Sequence, residues 1–345
     1  MADVGHAVAQ TRRMTARQWG LLIVGVVITV LGVTMITGSA LSGLARLVIP
    51  IVLIGTGMAI TVAAIRSRTR VAYWLLIPGG LWLIIFYVIP MTQLARTSLE
   101  EGTFQTGFEF AWRWDNFAEA FTTFGGQFFR SLLYGGVATI IAIAIGYPLA
   151  YFIAFRGGRY KNLLLVMVLM PFLVPFLLRT LAWKVILADD GFVVGVFQTL
   201  GLVEENGRLL ATGIAVVAGI TYNFLAFMTL PIYVSLEKID HSLVEAANDL
   251  YASPMVAFRK VTWPLSRPGV VAGTLLTLIP AAGDYVNAQL LGTPQQFMIG
   301  NVIQSRFLVV LDYPVASALS LTLMVAVLLI IIPYVRATGT EELVA

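Results

Sequence analysis

The sequence predicts an all-α integral membrane protein, a polytopic helical bundle of six core spans preceded by two extra N-terminal transmembrane helices. Three observations predict it. Of 345 residues, 59% are hydrophobic and only 12% charged, against roughly a quarter charged in soluble domains. The mean hydropathy is +0.88. The apolar residues also gather into eight runs of about 20, the length that crosses a hydrocarbon core.

In chain order the runs are Trp19–Gly38, Leu47–Ile65, Val71–Met91, Ser131–Phe155, Leu163–Ile186, Leu209–Leu236, Gly269–Leu291 and Val315–Val335. The first follows Arg12, Arg13 and Arg17 as a signal peptide would, but it is longer than a signal peptide's apolar region and reads as a retained anchor. The first two runs share a short loop and precede the basic "RSRTR" segment, so they read as an appended hairpin within residues 1–70. Residues 71–336 then form the core and 337–345 a tail. The fifth run is weakened by Arg179 and Lys184, read as snorkelling to the outer interface.

Charge sets the orientation. With the N-terminus cytoplasmic, inner segments hold Arg12, Arg13, Arg17, Arg66, Arg68, Arg70, Arg156, Arg159, Lys161, Lys238, Arg259, Lys260, Arg267 and Arg336. Acids such as Glu100, Glu101, Glu109, Asp115, Glu119, Asp189 and Asp190 fall outside, the bias expected of an inner membrane protein. Eight spans place both termini in the cytoplasm. The outer "FEFAWRWDNFAEAF" stretch suits an interfacial helix, and Asp312-Tyr313-Pro314 suits a turn and helix start.

Zero cysteines and two histidines leave little material for disulfides, thiolate metal sites or histidine catalysis. The chain has no G-x-x-x-x-G-K-[ST] phosphate loop. Covalent catalysis and ATP binding are therefore not expected of it.

The most charged and breakable inner segment is residues 237–268, containing "VEAANDLYASPMVAFRKVTWPL". Ser242 and Glu245 fit a capping box, predicting a helix over Leu243–Leu250 with Glu245 and Asp249 on one face. Ser253-Pro254 is a second start signal, and the second helix is expected to end near Pro264 and Pro268. In span seven, Asp284 is a carboxylate at membrane depth, a functional hypothesis by default. Pro280 and Gly283 are expected to interrupt the helix beside it. Asp284, Tyr285 and Asn287 would offer a cation a charge, a ring and an amide within one turn. The competing reading pairs Asp284 with Arg179 or Lys184.

The pattern Glu245-Ala246-Ala247, Ala252-Ser253, Phe258, Trp263-Pro264-Leu265 and Pro268-Gly269 resembles the EAA loop in permease subunits of binding-protein-dependent ABC importers. "GYPLAYFIAF", "MPFLVPFLLRTLAWKVILADDGFV" and "GDYVNAQLLGTPQQFMIGNVIQSRFL" extend the likeness over roughly residues 73–336, most of all to the polyamine (spermidine/putrescine) branch. The resemblance implies coupling contacts through Glu245, Ala246, Ala247, Asp249, Tyr251, Ala252, Ser253 and Phe258. It also implies a second homologous permease, two ATPase subunits that bind ATP and Mg, and an extracytoplasmic substrate-binding protein. Iron, thiamine and phosphonate are alternative cargoes within that family; a self-sufficient secondary transporter is the alternative outside it. Tyr251 departs from the family, which prefers glycine at the bend between the two coupling helices.

Overall fold

The computed structural model describes Thr56 and residues 78–201, 204 and 207–338. The first two expected spans lie outside those residues. The chain divides after Leu94 into two compact units. Apart from Thr56, the described residues of the first belong to helix α1 (Pro78–Thr97), which carries a π-helical turn over Ile84–Val88 and a Trp82–Phe86 ring pair at 4.1 Å.

The second unit begins with a β-hairpin, β1 (Glu100–Thr103) antiparallel to β2 (Gly107–Phe110), with Glu101 opposite Glu109. An interfacial helix was expected across this aromatic stretch, and α2 forms only over Asp115–Thr122. Gly102 and Gly107, at φ 127° and 87°, take conformations that only glycine adopts cheaply and so turn the chain back. Asn116 then fastens α2 to the hairpin, its amide donating to the carbonyls of Ser98 and Glu100 at 3.0 Å each.

The spans follow: α3 (Gly125–Arg156), α4 (Lys161–Leu173) with α5 (Phe176–Ile186), α7 (Gly213–Glu237), α9 (Pro254–Ala282) and α12 (Tyr313–Thr338). Shorter helices are α6 (Phe192–Thr199), α8 (His241–Asp249), α10 (Val286–Leu291) and α11 (Ile299–Val310). Among the described residues five helices are long and apolar enough to cross a membrane, or six if α4 and α5, bent by 92° at their break, count as one span. The bend lies at Val174 and Pro175, both extended, because a residue before proline is driven out of the helical region.

Helices α3, α7 and α9 form the centre. Lipid supplies no hydrophobic drive between helices, so close backbone approach over small residues must hold them. A methyl added at Gly269 would lie 2.5 Å from the Pro231 carbonyl oxygen, and one at Gly273 would lie 2.9 Å from that of Met228. The pocketed side chains between them are Ala142, Tyr147, Met228, Ile232, Leu236 and Val270. Nearer the other end, Val216, Ile220, Phe224, Leu291 and Met298 fill the core. Asp312 caps α12 as expected, accepting from the Val315 amide at 3.4 Å.

Gly269→Ala should push α7 from α9 and lower the thermal midpoint in detergent, at a cost of about 1–3 kcal/mol. Gly136→Ala, with no atom within 4 Å of the new methyl, should leave the midpoint unchanged or raise it. Equal midpoints for the two variants would contradict this packing.

Candidate functional site

Two features stand out from the bundle: the loop between α7 and α9, and a break in α9 surrounded by buried polar side chains.

The loop begins with α8. Its cap is Asp240, whose carboxylate accepts from the Ser242 amide at 2.9 Å. The expected Ser242–Glu245 box is thereby replaced by a start two residues earlier. Asp240 satisfies the same class of free amide with a charged acceptor, which is the stronger cap. Glu245, Ala246 and Asp249 are exposed, and neither acid forms an ion pair among the described residues. Helix α8 closes with the Ala252 amide bonded to the Ala247 carbonyl at 3.1 Å and the Leu250 amide bonded to that of Ala246 at 3.2 Å. That six-to-one bond requires a left-handed residue, and Tyr251 supplies it at φ 56°. An L-residue there costs roughly 1–2 kcal/mol. Its ring gains nothing in return within the chain, being 99% exposed.

Ser253 occupies the cap position before Pro254 as expected, although its hydroxyl makes no cap bond. The second helix does not end at Pro264 or Pro268. It widens into a π-helical turn over Phe258–Thr262 and continues as the span. The Trp263 amide reaches back five residues to the Phe258 carbonyl, so the ladder shifts register where Pro264 lacks a donor.

One side of this loop is exposed and mixed, with Leu250, Tyr251, Met255 and Val256 beside Glu245 and Asp249. The other side is anchored. Phe258 meets Tyr147 edge-on at 5.8 Å and Tyr151 at 6.1 Å, and Trp263 lies 5.3 Å from Tyr147. The Tyr147 hydroxyl and Ser266 Oγ are hydrogen-bonded at 2.7 Å in the interior. Lys161 of α4 pairs with Glu237 at the end of α7 and lies 5.6 Å over the Tyr233 ring. The start of α9 is therefore seated on α3, with an outer face that has no partner among the described residues, of the kind that marks protein contacts.

At the second feature α9 ends at Ala282, Gly283 and Asp284 leave the helix, and α10 starts at Val286. This is the interruption expected from Pro280 and Gly283. Asp284 is buried and caps α10, accepting from the Asn287 amide at 2.8 Å and from its side-chain Nδ2 at 2.9 Å. No ion pair to Arg179 or Lys184 forms among the described residues. Asn287 Oδ1 in turn accepts from Asn223 Nδ2 at 3.1 Å and Thr180 Oγ1 at 3.3 Å, joining α5, α7 and α10. Tyr285 differs from both: it is 40% exposed and lines a cavity of about 280 Å³ with Gly283, Gly300, Gln304 and Phe307.

Sequence reasoning missed three residues here. Asn301 donates to the Tyr285 carbonyl at 2.9 Å, and Ser131 accepts from the Ile299 amide at 2.8 Å. Gly300 lies so close that an added methyl would sit 2.5 Å from the Gly283 carbonyl oxygen. Arg179 does not snorkel; it turns inward, 7% exposed, and donates to the Asn223 carbonyl at 3.2 Å.

Residues 136–337 match the family described as binding-protein-dependent transport system inner membrane component. The chain is 38% identical over 257 residues to the spermidine/putrescine transport system permease protein PotB of Haemophilus influenzae, covering 74% of this chain and 90% of the relative. It is 33% identical to the PotB of Escherichia coli over 258 residues, covering 74% and 94%. Among solved structures, a bacterial ABC transporter that imports the acidic polysaccharide alginate is similar in fold, with TM-score 0.58, 18% identity, and 77% and 94% of the two chains covered.

Tyr251→Gly should relieve the left-handed strain and raise the thermal midpoint by the equivalent of about 1 kcal/mol, measured in detergent. Gly300→Ala should lower it by about 1–3 kcal/mol through its clash with the break. A neutral Gly300→Ala would mean that the break is not held as described.

Proposed function

The chain belongs to the family of binding-protein-dependent transport system inner membrane components, and we propose that it is the permease subunit of a polyamine ABC importer whose α7–α9 loop couples it to a separate ATPase. Its partners are a second permease, two ATPase subunits that carry ATP and Mg, and an extracytoplasmic protein that delivers spermidine or putrescine. The observation that carries the cargo assignment is the similarity, over nearly the full length of the relatives, to permeases named for spermidine and putrescine transport.

The chemistry of the chain fits that role. The loop presents Glu245, Ala246, Asp249, Tyr251 and Ser253 outward, with Ala247 and Ala252 half-buried behind them. Carboxylates beside apolar side chains suit a groove lined by basic and apolar groups on a partner. Phe258 acts from the other side as the anchor that passes loop motion to Tyr147 of α3. On this reading both chain termini lie in the cytoplasm with the loop and the β-hairpin faces outward, which the distribution of Lys and Arg supports.

At the break, Tyr285 is the residue of its trio that reaches open space, a ring suited to an alkylammonium by cation–π attraction. Asp284 and Asn287 act from behind, holding the turn that presents Tyr285.

Reconstituted with both permeases, the ATPase and the binding protein, the importer should hydrolyse ATP faster when spermidine or putrescine is added. Stimulation by iron, thiamine or a phosphonate with none by polyamines would replace the cargo assignment. Tyr285→Phe should keep most polyamine uptake and Tyr285→Ala should lose roughly tenfold or less, the scale of one cation–π contact; equal uptake by both would remove Tyr285 from the path.

A further inference from the structure

Arg179 carries a full charge into the bundle with no counter-charge among the described residues. It is 7% exposed, and among the described residues its one hydrogen bond runs from Nη1 to the Asn223 carbonyl and its Nε has no partner. The rings of Phe172 and Phe176 lie 5.5 and 5.6 Å from the guanidinium carbon. It opens onto a cavity of about 290 Å³ walled by Leu149, Leu164, Met167, Phe172, Leu225 and the single polar ring of Tyr222.

We propose that this cavity receives a carboxylate carried on a membrane helix of the second permease, an ion pair that forms only when the two permeases assemble. The inference rests on the paired-permease reading above. A desolvated guanidinium needs an anion, and its planar fork fits a carboxylate.

This chain does not supply that anion. Within its apolar segments the one acidic residue is Asp284, and both its oxygens are engaged by Asn287. Depth excludes a lipid phosphate. Asn223 lies ten residues into α7, which starts at Gly213, so Arg179 sits about 15 Å below the helix end, close to the midplane of a core roughly 30 Å thick. Charge excludes a polyamine cation, and walls that are apolar apart from Arg179 and Tyr222 disfavour a free inorganic anion. A carboxylate on a partner helix meets all three conditions.

The test uses the whole importer, purified through a tag on this chain, with recovery of the second permease as readout. Arg179→Gln should lower that recovery by on the order of tenfold or more, because it leaves the partner's carboxylate buried and unpaired. Arg179→Lys should retain a substantial part. Replacing each intramembrane Asp or Glu of the second permease by Asn or Gln should reveal one position that lowers recovery with the wild-type chain and restores it with Arg179→Gln. Wild-type recovery with Arg179→Gln overturns the proposal. If Arg179→Gln fails to accumulate, the partner substitutions decide on the wild-type chain, and no effect from any of them overturns it equally. Failure of the wild-type chain to recover any second permease would instead refute the paired-permease reading.

Discussion

Every peptide group at membrane depth must find a partner inside the protein, because hydrocarbon offers none. The break in α9 exists only because that condition is met there. Asp284 takes the Asn287 amide, Asn301 covers the Tyr285 carbonyl, and Ser131 takes the amide of Ile299. Where the chain returns, the Ala211 amide donates to the Leu291 carbonyl at 2.8 Å and Arg130 donates to that of Phe297 at 2.7 Å. A non-helical turn is thus stabilised deep in the bundle, and Tyr285 is presented at it. The side chains that make the turn possible are buried; the one they display is not.

The loop at the other end solves a different problem. It must be stiff toward its own bundle and open toward a partner. The aromatic contacts of Phe258 and Trp263 with Tyr147, and the Tyr147–Ser266 bond, supply stiffness. The six-to-one closure at Tyr251 fixes the angle between α8 and the start of α9. Tyrosine in a left-handed position with its ring wholly in solvent lowers the stability of the free chain. Under the proposed docking, that ring is free to contact the partner.

Much of this was legible in the sequence, and the limits are instructive. Runs of about 20 apolar residues marked where the core helices lie, because hydropathy acts locally, but not all their ends: the run Gly269–Leu291 belongs to a helix that starts at Pro254 and breaks after Ala282. Pro280 with Gly283 marked the break, and Ser253-Pro254 marked the second helix start, each through backbone chemistry confined to neighbours. Errors arose where a choice between neighbours or a distant contact decided. Asp240 took the cap from Ser242, and glycines at positive φ turned an aromatic stretch into a hairpin. The π-helical turn let the span pass Pro264. Gly300 and Asn301 were silent because their reason for being there lies across a turn, at Gly283 and Tyr285. Arg179 read as a snorkelling residue because a single sequence does not show that Asn223 offers its carbonyl within the bundle.

The central claim is that the α7–α9 loop is the surface through which a separate ATPase drives this permease. The chain has no cysteine, so single cysteines report position without background. Met255→Cys, on the exposed loop face, and Glu109→Cys, on the β-hairpin, should be cross-linked in the intact importer. The account predicts that Met255→Cys captures the ATPase subunit, with a yield that changes between nucleotide-free and ATP-bound states, and that Glu109→Cys does not. Capture of the ATPase from Glu109→Cys, or none from Met255→Cys in any nucleotide state, would contradict it.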